Sequence, residues 1–370
     1  MNNKNVGKWV NADNFTFYDN ISFLKFEDWK NIVMFDLDGT IVKTKSGKTH
    51  PVDSDDWVFN YDNVVEKFAG LDKTIVGVIS NQKGIKSNDK LNEWQTKLKN
   101  IMKHINFHFI FASLKDDRYR KPMIGSWQYI KDTYLKGFNI HSNNQIIYVG
   151  DACGRQGDFS DTDLKFAYNC GFKFSTPEKF FNIKISKQVA SITYPELEYY
   201  SKIEFNKMTE LIFNCFNKDK VLVVMVGFPG CGKSFMRKFL LNSNPNFKYF
   251  NKDDVKGKII NDNLVIKNNS NINYIIDDNT NTTLKSRNEL FKIYNSHFKI
   301  GIFFDYDIER AMHLNYMRMY WYGAELIKKV AYYTLNKKFD KPLETEFDLL
   351  IKFDKILPDF NLEHNLKYYF

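Results

Sequence analysis

The run Asn31-Ile-Val-Met-Phe-Asp36-Leu37-Asp38-Gly39-Thr40 joins a continuous apolar segment to two aspartates and a glycine turn. An unbroken run of β-forming apolar residues is covered on both faces, so this reads as a buried parallel strand opening into a turn. A second run of the same kind, Val221-Leu-Val-Val-Met-Val-Gly227, opens into Phe228-Pro-Gly230-Cys-Gly232-Lys233-Ser234. Outward from the first run, residues 74–80, 107–112 and 145–150 read as strands, with helices over 90–105 and 124–136 between them. Around the second, strands at 247–250, 274–277 and 299–304 alternate with helices at 284–295 and 307–319. Strands alternating with helices imply parallel, doubly wound sheets. The expectation is an α/β protein of two such domains, 1–200 and 201–370, divided near residue 200 after a mixed stretch carrying Pro195. The Asn-rich segment 261–273 reads as a surface loop.

A length of 370 residues suits two domains. With 43% apolar and 26% charged residues the composition is that of a soluble globular chain, which excludes disorder, collagen and coiled coil as readings of the whole. The longest strongly apolar run, 221–226, falls far short of the roughly 20 residues that span a bilayer, so no membrane partner is expected. Residues 1–20 match neither a signal nor a transit peptide. Cys153, Cys170, Cys215 and Cys231 are widely spaced with no C-x-x-C pair, against a disulfide framework or zinc ribbon and in keeping with a reducing compartment. An intracellular protein, nuclear or cytoplasmic, is expected. The net charge of +9 suits a polyanionic partner and equally suits an Asn- and Lys-rich solvated surface.

Asp36 stands at the carboxyl end of its strand, where ligands bind in doubly wound sheets. A carboxylate there can attack phosphorus to form an aspartyl-phosphate, and Asp38 can protonate the leaving alcohol and then activate water. Ser80 and Asn81 end the next strand and suit phosphate oxygens; Lys121 supplies a cation; Asp151 would complete an oxygen-only Mg²⁺ site with Asp36 and the backbone carbonyl of Asp38. Arg155 follows on the same loop as a substrate contact. Asp158 and Asp163 read equally as supports of the metal site or as loop polarity. The order D-x-D-G-T, Ser/Thr, Lys, G-D resembles the haloacid dehalogenase superfamily.

Gly227 to Ser234 fits G-x-x-x-x-G-K-S between a strand and a helix. Backbone N–H groups of such a loop, with Gly227, Gly230 and Gly232 supplying the turns, cradle the phosphates of ATP; Lys233 reaches the β/γ-phosphates and Ser234 ligates Mg²⁺. Asp253 is the candidate general base for an incoming hydroxyl, with Lys256 close behind it, and Asp278 a candidate contact to acceptor or Mg²⁺. Helix capping is the competing role for both aspartates. Within the lid-like segment 309–318, Arg318 is the first choice for touching phosphate and Arg310 the second.

Taken together, FDLDGT, SNQ-x-GI, YRKP, VGDACGR and TPEKFF, followed by VGFPGCGKS, NKDD, DNTN and ERAMHLN, resemble the bifunctional polynucleotide kinase/3′-phosphatase family. The resemblance runs from about Asp36 onward in the phosphatase-first order of animal-type DNA repair enzymes. It implies a haloacid dehalogenase-like 3′-phosphatase domain acting through Asp36 and Asp38, then a P-loop kinase domain using ATP, Mg²⁺ and Asp253. The implied partners are DNA strand-break ends, in functional coupling to a DNA ligase. An RNA end-healing enzyme of the same chemistry is the alternative. Three positions depart from the family pattern: Lys252 stands for its usual Arg, Tyr316 for the first of two lid arginines, and Cys231 for a small P-loop residue. About 30 residues precede the first strand, so no forkhead-associated domain is expected for phosphopeptide recruitment. A non-enzymatic scaffold is disfavoured by the intact Asp36, Asp38, Lys121, Asp151, Lys233 and Asp253.

Overall fold

A computed structural model describes residues 7–138, 146–184, 189, 197–251 and 271–358. They form two compact units, one built mainly on residues 7–184 and the other on residues from 197 onward.

The first unit begins with strands β1 (Lys8–Asn11), β2 (Phe15–Asp19) and β3 (Asn31–Phe35) and the small hairpin β4 (Val42–Lys43) with β5 (Val58–Phe59). Helix α1 (Val64–Ala69) leads to β6 (Thr74–Asn81), α2 (Asn88–Ile101), β7 (Phe109–Ser113), α3 (Gly125–Tyr134), β8 (Ile146–Val149), α4 (Thr162–Cys170), β9 (Lys173–Ser175) and α5 (Pro177–Phe180). The main sheet runs β1-β2-β7-β6-β3-β8-β9, parallel from β7 to β9. Alternation along β3 serves both faces, as a central strand must. Val33 and Phe35 pack with Trp94, Leu98 and Ile101 of α2, while Ile32 and Met34 pack with Trp127, Ile130 and Phe166 of α3 and α4. This is the doubly wound layering expected from the sequence.

The antiparallel edge β1-β2 was not legible in it. Its polar turn, 11–14, obscured a period-2 pattern whose Phe17 packs 4.6 Å from the Tyr134 ring and whose Phe15 stacks on Phe111.

The second unit comprises α6 (Lys202–Phe213), β10 (Val221–Val226), α7 (Lys233–Ser243), β11 (Lys248–Phe250), β12 (Tyr274–Asp277), α8 (Leu284–Ile293), β13 (Phe298–Phe304), α9 (Ile308–Tyr322), α10 (Lys329–Asn336) and β14 (Leu349–Phe353). All five strands are parallel, in the order β11-β12-β10-β13-β14. Every residue of β10 is buried, Val221, Val223 and Met225 against α7 and Leu222, Val224 and Val226 against α8. The edge strand β14 and helices α6 and α10 were not foreseen. No helix among the described residues is long and apolar enough to cross a membrane.

Candidate active sites

Four separate segments of the first unit converge at the carboxyl end of its sheet. Asp36 directly follows β3, its amide continuing the ladder to the carbonyl of Val149 (2.9 Å). The Lys121 ammonium donates to Asp36 Oδ1 (2.7 Å), to Asp163 Oδ1 (2.7 Å) and to the Tyr148 hydroxyl (2.6 Å). Lys121 is held in turn by Asn81, whose amide brackets its backbone, Nδ2 on the Lys121 carbonyl and Oδ1 on its N–H. Asp151 is fixed by the Thr40 hydroxyl (2.9 Å). Gly39, at φ +84°, is required here: a Cβ would fall 2.5 Å from Asp151 Oδ2.

Oxygens of Asp36, Asp151 and Asp163 lie within 4.8 Å of one another. Burial pushes Asp36 up to about 7, with Lys121 opposing and the other two carboxylates adding. Asp151 rises to about 6, by burial and by the charge of Asp163. Burial disfavours the Lys121 ammonium, yet Asp163 and Asp36 outweigh it and hold its pKa above the usual lysine range. Three carboxylates against one ammonium make a site short of positive charge. Hard oxygens this close suit a divalent cation such as Mg²⁺.

Asp38 stands apart from that cluster, its side chain 46% exposed. Its Oδ1 accepts from Lys97 Nζ (2.7 Å) and its Oδ2 from Gln82 Nε2 (2.8 Å), a nitrogen that also reaches the buried Ser80 hydroxyl (3.0 Å). The Arg155 guanidinium is engaged by Asp158 and Glu178 and donates to the Asp151 carbonyl (3.2 Å). Asp158 caps the same loop by accepting from the N–H groups of Cys153 and Arg155. Of the two ambiguous aspartates, Asp163 is thus the one beside Lys121. Tyr148 and Lys97 carry no sequence signal: the first reads as strand core, the second as a solvated helical lysine.

The second unit builds its site on one loop. Gly230 and Gly232 take positive φ, +82° and +102°, and α7 starts at Lys233. Lys233 is 8% exposed and its ammonium lies on the loop's own carbonyls, Gly227 (3.0 Å) and Phe228 (2.6 Å). Ser234 hydrogen-bonds Asp278, which follows β12 and is buried beside Arg237 (3.1 Å) and Asn251 (3.0 Å). Burial raises the pKa of Asp278, with Arg237 and Lys233 opposing. A P-loop hydroxyl paired with a strand-end carboxylate is a donor set that suits Mg²⁺ carrying a nucleotide's phosphates.

Helix α9 lies against this loop: a Cβ on Gly230 would be 3.4 Å from the backbone of Asn315. Arg318 donates to Asn315 Oδ1 (3.3 Å), and its charge acts on Tyr332, whose hydroxyl donates to the Pro229 carbonyl (3.1 Å). Arg310 donates instead to the carbonyl of Asp354. His313 is buried, which pushes its pKa down to about 4 and makes it a core residue. Lys252, Asp253 and Lys256 lie outside the described residues.

Residues 31–181, which contain the whole first site, match the sequence model of the family described as polynucleotide kinase 3 phosphatase. A bifunctional polynucleotide phosphatase/kinase of Schizosaccharomyces pombe is 30% identical over 87% of this chain and 79% of its own length. A putative bifunctional polynucleotide phosphatase/kinase of Acanthamoeba polyphaga mimivirus is 30% identical over 95% of this chain and 92% of its own. A polynucleotide 3′-phosphatase of Saccharomyces cerevisiae, 27% identical, covers 41% of this chain and is itself 87% covered.

Proposed function

The chain belongs to the bifunctional polynucleotide phosphatase/kinase family, and from that premise we propose that it heals DNA strand breaks at both ends. Domain 1–200 removes 3′-phosphates and domain 201–370 phosphorylates 5′-hydroxyls with ATP. The observation that carries the first half is the Asp36 carboxylate, 13% exposed and held 2.7 Å from the buried Lys121 ammonium.

An Asp36 oxygen attacks the phosphorus of a 3′-phosphate, and the bond to the 3′-oxygen breaks as that oxygen takes a proton from Asp38. Water then attacks the aspartyl-phosphate, giving its proton back to Asp38 and releasing inorganic phosphate. Ser80 binds phosphate oxygens, and Lys121 fixes Asp36 while offsetting its charge. Asn81 and Arg155 act one step back, on Lys121 and on the Asp151 carbonyl. Asp36, Asp151 and Asp163 would hold a Mg²⁺, which would supply the positive charge that a dianionic phosphate needs in order to approach. Because the Asp38 side chain is committed to Lys97 and Gln82, any part it takes in holding that cation falls to its backbone carbonyl.

In the kinase half the N–H groups around Gly227, Gly230 and Gly232 cradle ATP. Lys233 transfers from the loop carbonyls to the β/γ-phosphates, and Ser234 with Asp278 would hold the Mg²⁺ that accompanies them. Asp253 takes the proton of the 5′-hydroxyl, Lys256 contacts the acceptor strand and Arg318 contacts the transferring phosphate. The products, 3′-hydroxyl and 5′-phosphate ends, are ligase substrates, which supports functional coupling to a DNA ligase and action inside the cell, in nucleus or cytoplasm.

The test is an end-labelled assay offering 3′-phosphate and 5′-hydroxyl oligonucleotides with ATP and Mg²⁺, on DNA and RNA in parallel. Both DNA ends are expected to be converted. Failure of 3′-phosphate release, or preference for RNA ends, overturns the reading.

A further inference from the structure

Lys97 is a buried cation outside the set of residues assigned above. It sits on α2, on the face that carries Trp94, Leu98 and Ile101 into the core, with 4% of its side chain exposed. An ammonium withdrawn from water to this degree is costly unless a counter-charge meets it. The charge it meets is Asp38, at 2.7 Å. On the other side of the same carboxylate stands Gln82, whose Nε2 has one hydrogen for Asp38 Oδ2 (2.8 Å) and one for the Ser80 hydroxyl (3.0 Å). A half-exposed aspartate on a turn has several rotamers open to it. This one is gripped at both oxygens, from below by a buried cation and from the side by an amide tied to a phosphate-binding residue.

We infer that Lys97 is a positioning residue for Asp38: it touches no substrate atom, and it holds the carboxylate where proton transfer to the 3′-oxygen and from water takes place. Gln82 shares the task and links it to Ser80. The inference rests on the roles given above to Asp36 and Asp38.

The two half-reactions separate it from a structural role. With p-nitrophenyl phosphate the leaving nitrophenolate needs no proton, so phosphorylation of Asp36 proceeds without Asp38. Hydrolysis of the phosphoenzyme still needs Asp38 to take a proton from water. Rapid-mixing kinetics of the full-length Lys97→Met protein should therefore show a nitrophenolate burst within about threefold of the wild-type rate, followed by a steady state slowed about 30-fold, inside the range of general acid–base effects. Turnover of an oligonucleotide 3′-phosphate should fall by a similar factor with KM unchanged, and Lys97→Arg should recover most of it. Burst and steady state falling together, or Lys97→Met turning over like wild type, overturns the inference. Should Lys97→Met fail to fold, Gln82→Leu, which removes the other donor from an accessible position, decides in its place: a preserved burst before a slowed steady state supports the inference, and a matched loss overturns it. A wild-type protein that forms no phosphoenzyme defeats the underlying reading of Asp36 instead, so the two failures are distinct.

Discussion

The two sites hold their charged groups in opposite ways. In the first, the buried Lys121 ammonium is shared by the Asp36 and Asp163 carboxylates, the Asn81 amide holds Lys121 and the Thr40 hydroxyl holds Asp151, and the cluster remains short of positive charge. The charged groups are in place before any substrate arrives. In the second, Lys233 is parked on the carbonyls of its own loop, and on the proposed reading its productive partner arrives with the nucleotide. The nucleophile proposed for the first site must be aimed, and aiming needs a rigid frame of strand ends. A phosphate cradle needs only backbone N–H groups of correct φ and ψ, which one glycine-rich loop provides.

The sharpest way to break this contrast is to remove one centre at a time. Asp36→Asn should lower 3′-phosphatase turnover by about 10⁴-fold or more while 5′-kinase activity stays within twofold, and Lys233→Ala should lower kinase turnover about 10³-fold with the phosphatase intact. Loss of both activities in either well-folded variant would refute two independent centres. Next in size is Lys121→Met. It strands two buried carboxylates, so metal-free protein should lose about 3–5 kcal/mol of stability in thermal unfolding, partly restored by Mg²⁺. Lys233→Met, whose ammonium lies on two loop carbonyls and the Cys231 sulfur and which leaves Asp278 its Arg237 partner, should cost far less; equal costs would erase the distinction.

Proton linkage sharpens it further. Asp36 and Asp151 have carboxyls raised to about 7 and about 6, so metal-free protein holds their protons below those values. A cation that needs both ionised must displace them, and Mg²⁺ affinity at the first site should rise with pH and level off above about 7. Between pH 7.5 and 5.5 it should weaken about tenfold or more, with proton release visible calorimetrically in buffers of different ionisation enthalpy. Affinity independent of pH would show that the carboxylates are already ionised. The smallest effect expected is that of Arg318→Ala, about a fivefold rise in the KM for ATP, the size of one partly exposed charge contact.

Motifs dominated what could be read in advance. The segment 227–234 carries nearly all of its candidate site residues contiguously, so a pattern sufficed to place Lys233 and Ser234 at the start of the helix that follows a central strand. At the first site Asp36, Lys121 and Asp151 were legible because each stands at a strand end or beside a recognisable turn. Lys97 was not: on paper it is one of many helical lysines, and only the packing of α2 on the β3 face buries it toward Asp38. Tyr148 was hidden for the converse reason, since a tyrosine inside an apolar strand reads as core. The hairpin β1-β2 escaped because its pairing partner, β7, lies some ninety residues away.

The amino-acid sequence alone determined two α/β units with parallel central strands and which candidate residues stand at their strand ends, because buried central strands need continuous apolar runs and phosphate loops need glycines at set spacing. Tertiary structure alone decided which ionisable groups meet: that Asp163 rather than Asp158 shares Lys121, and that Asp38 is gripped by Lys97 and Gln82. Hydrogen bonds and ion pairs act over a few ångströms, and distances of that kind between residues far apart in the chain are set only when the helices pack.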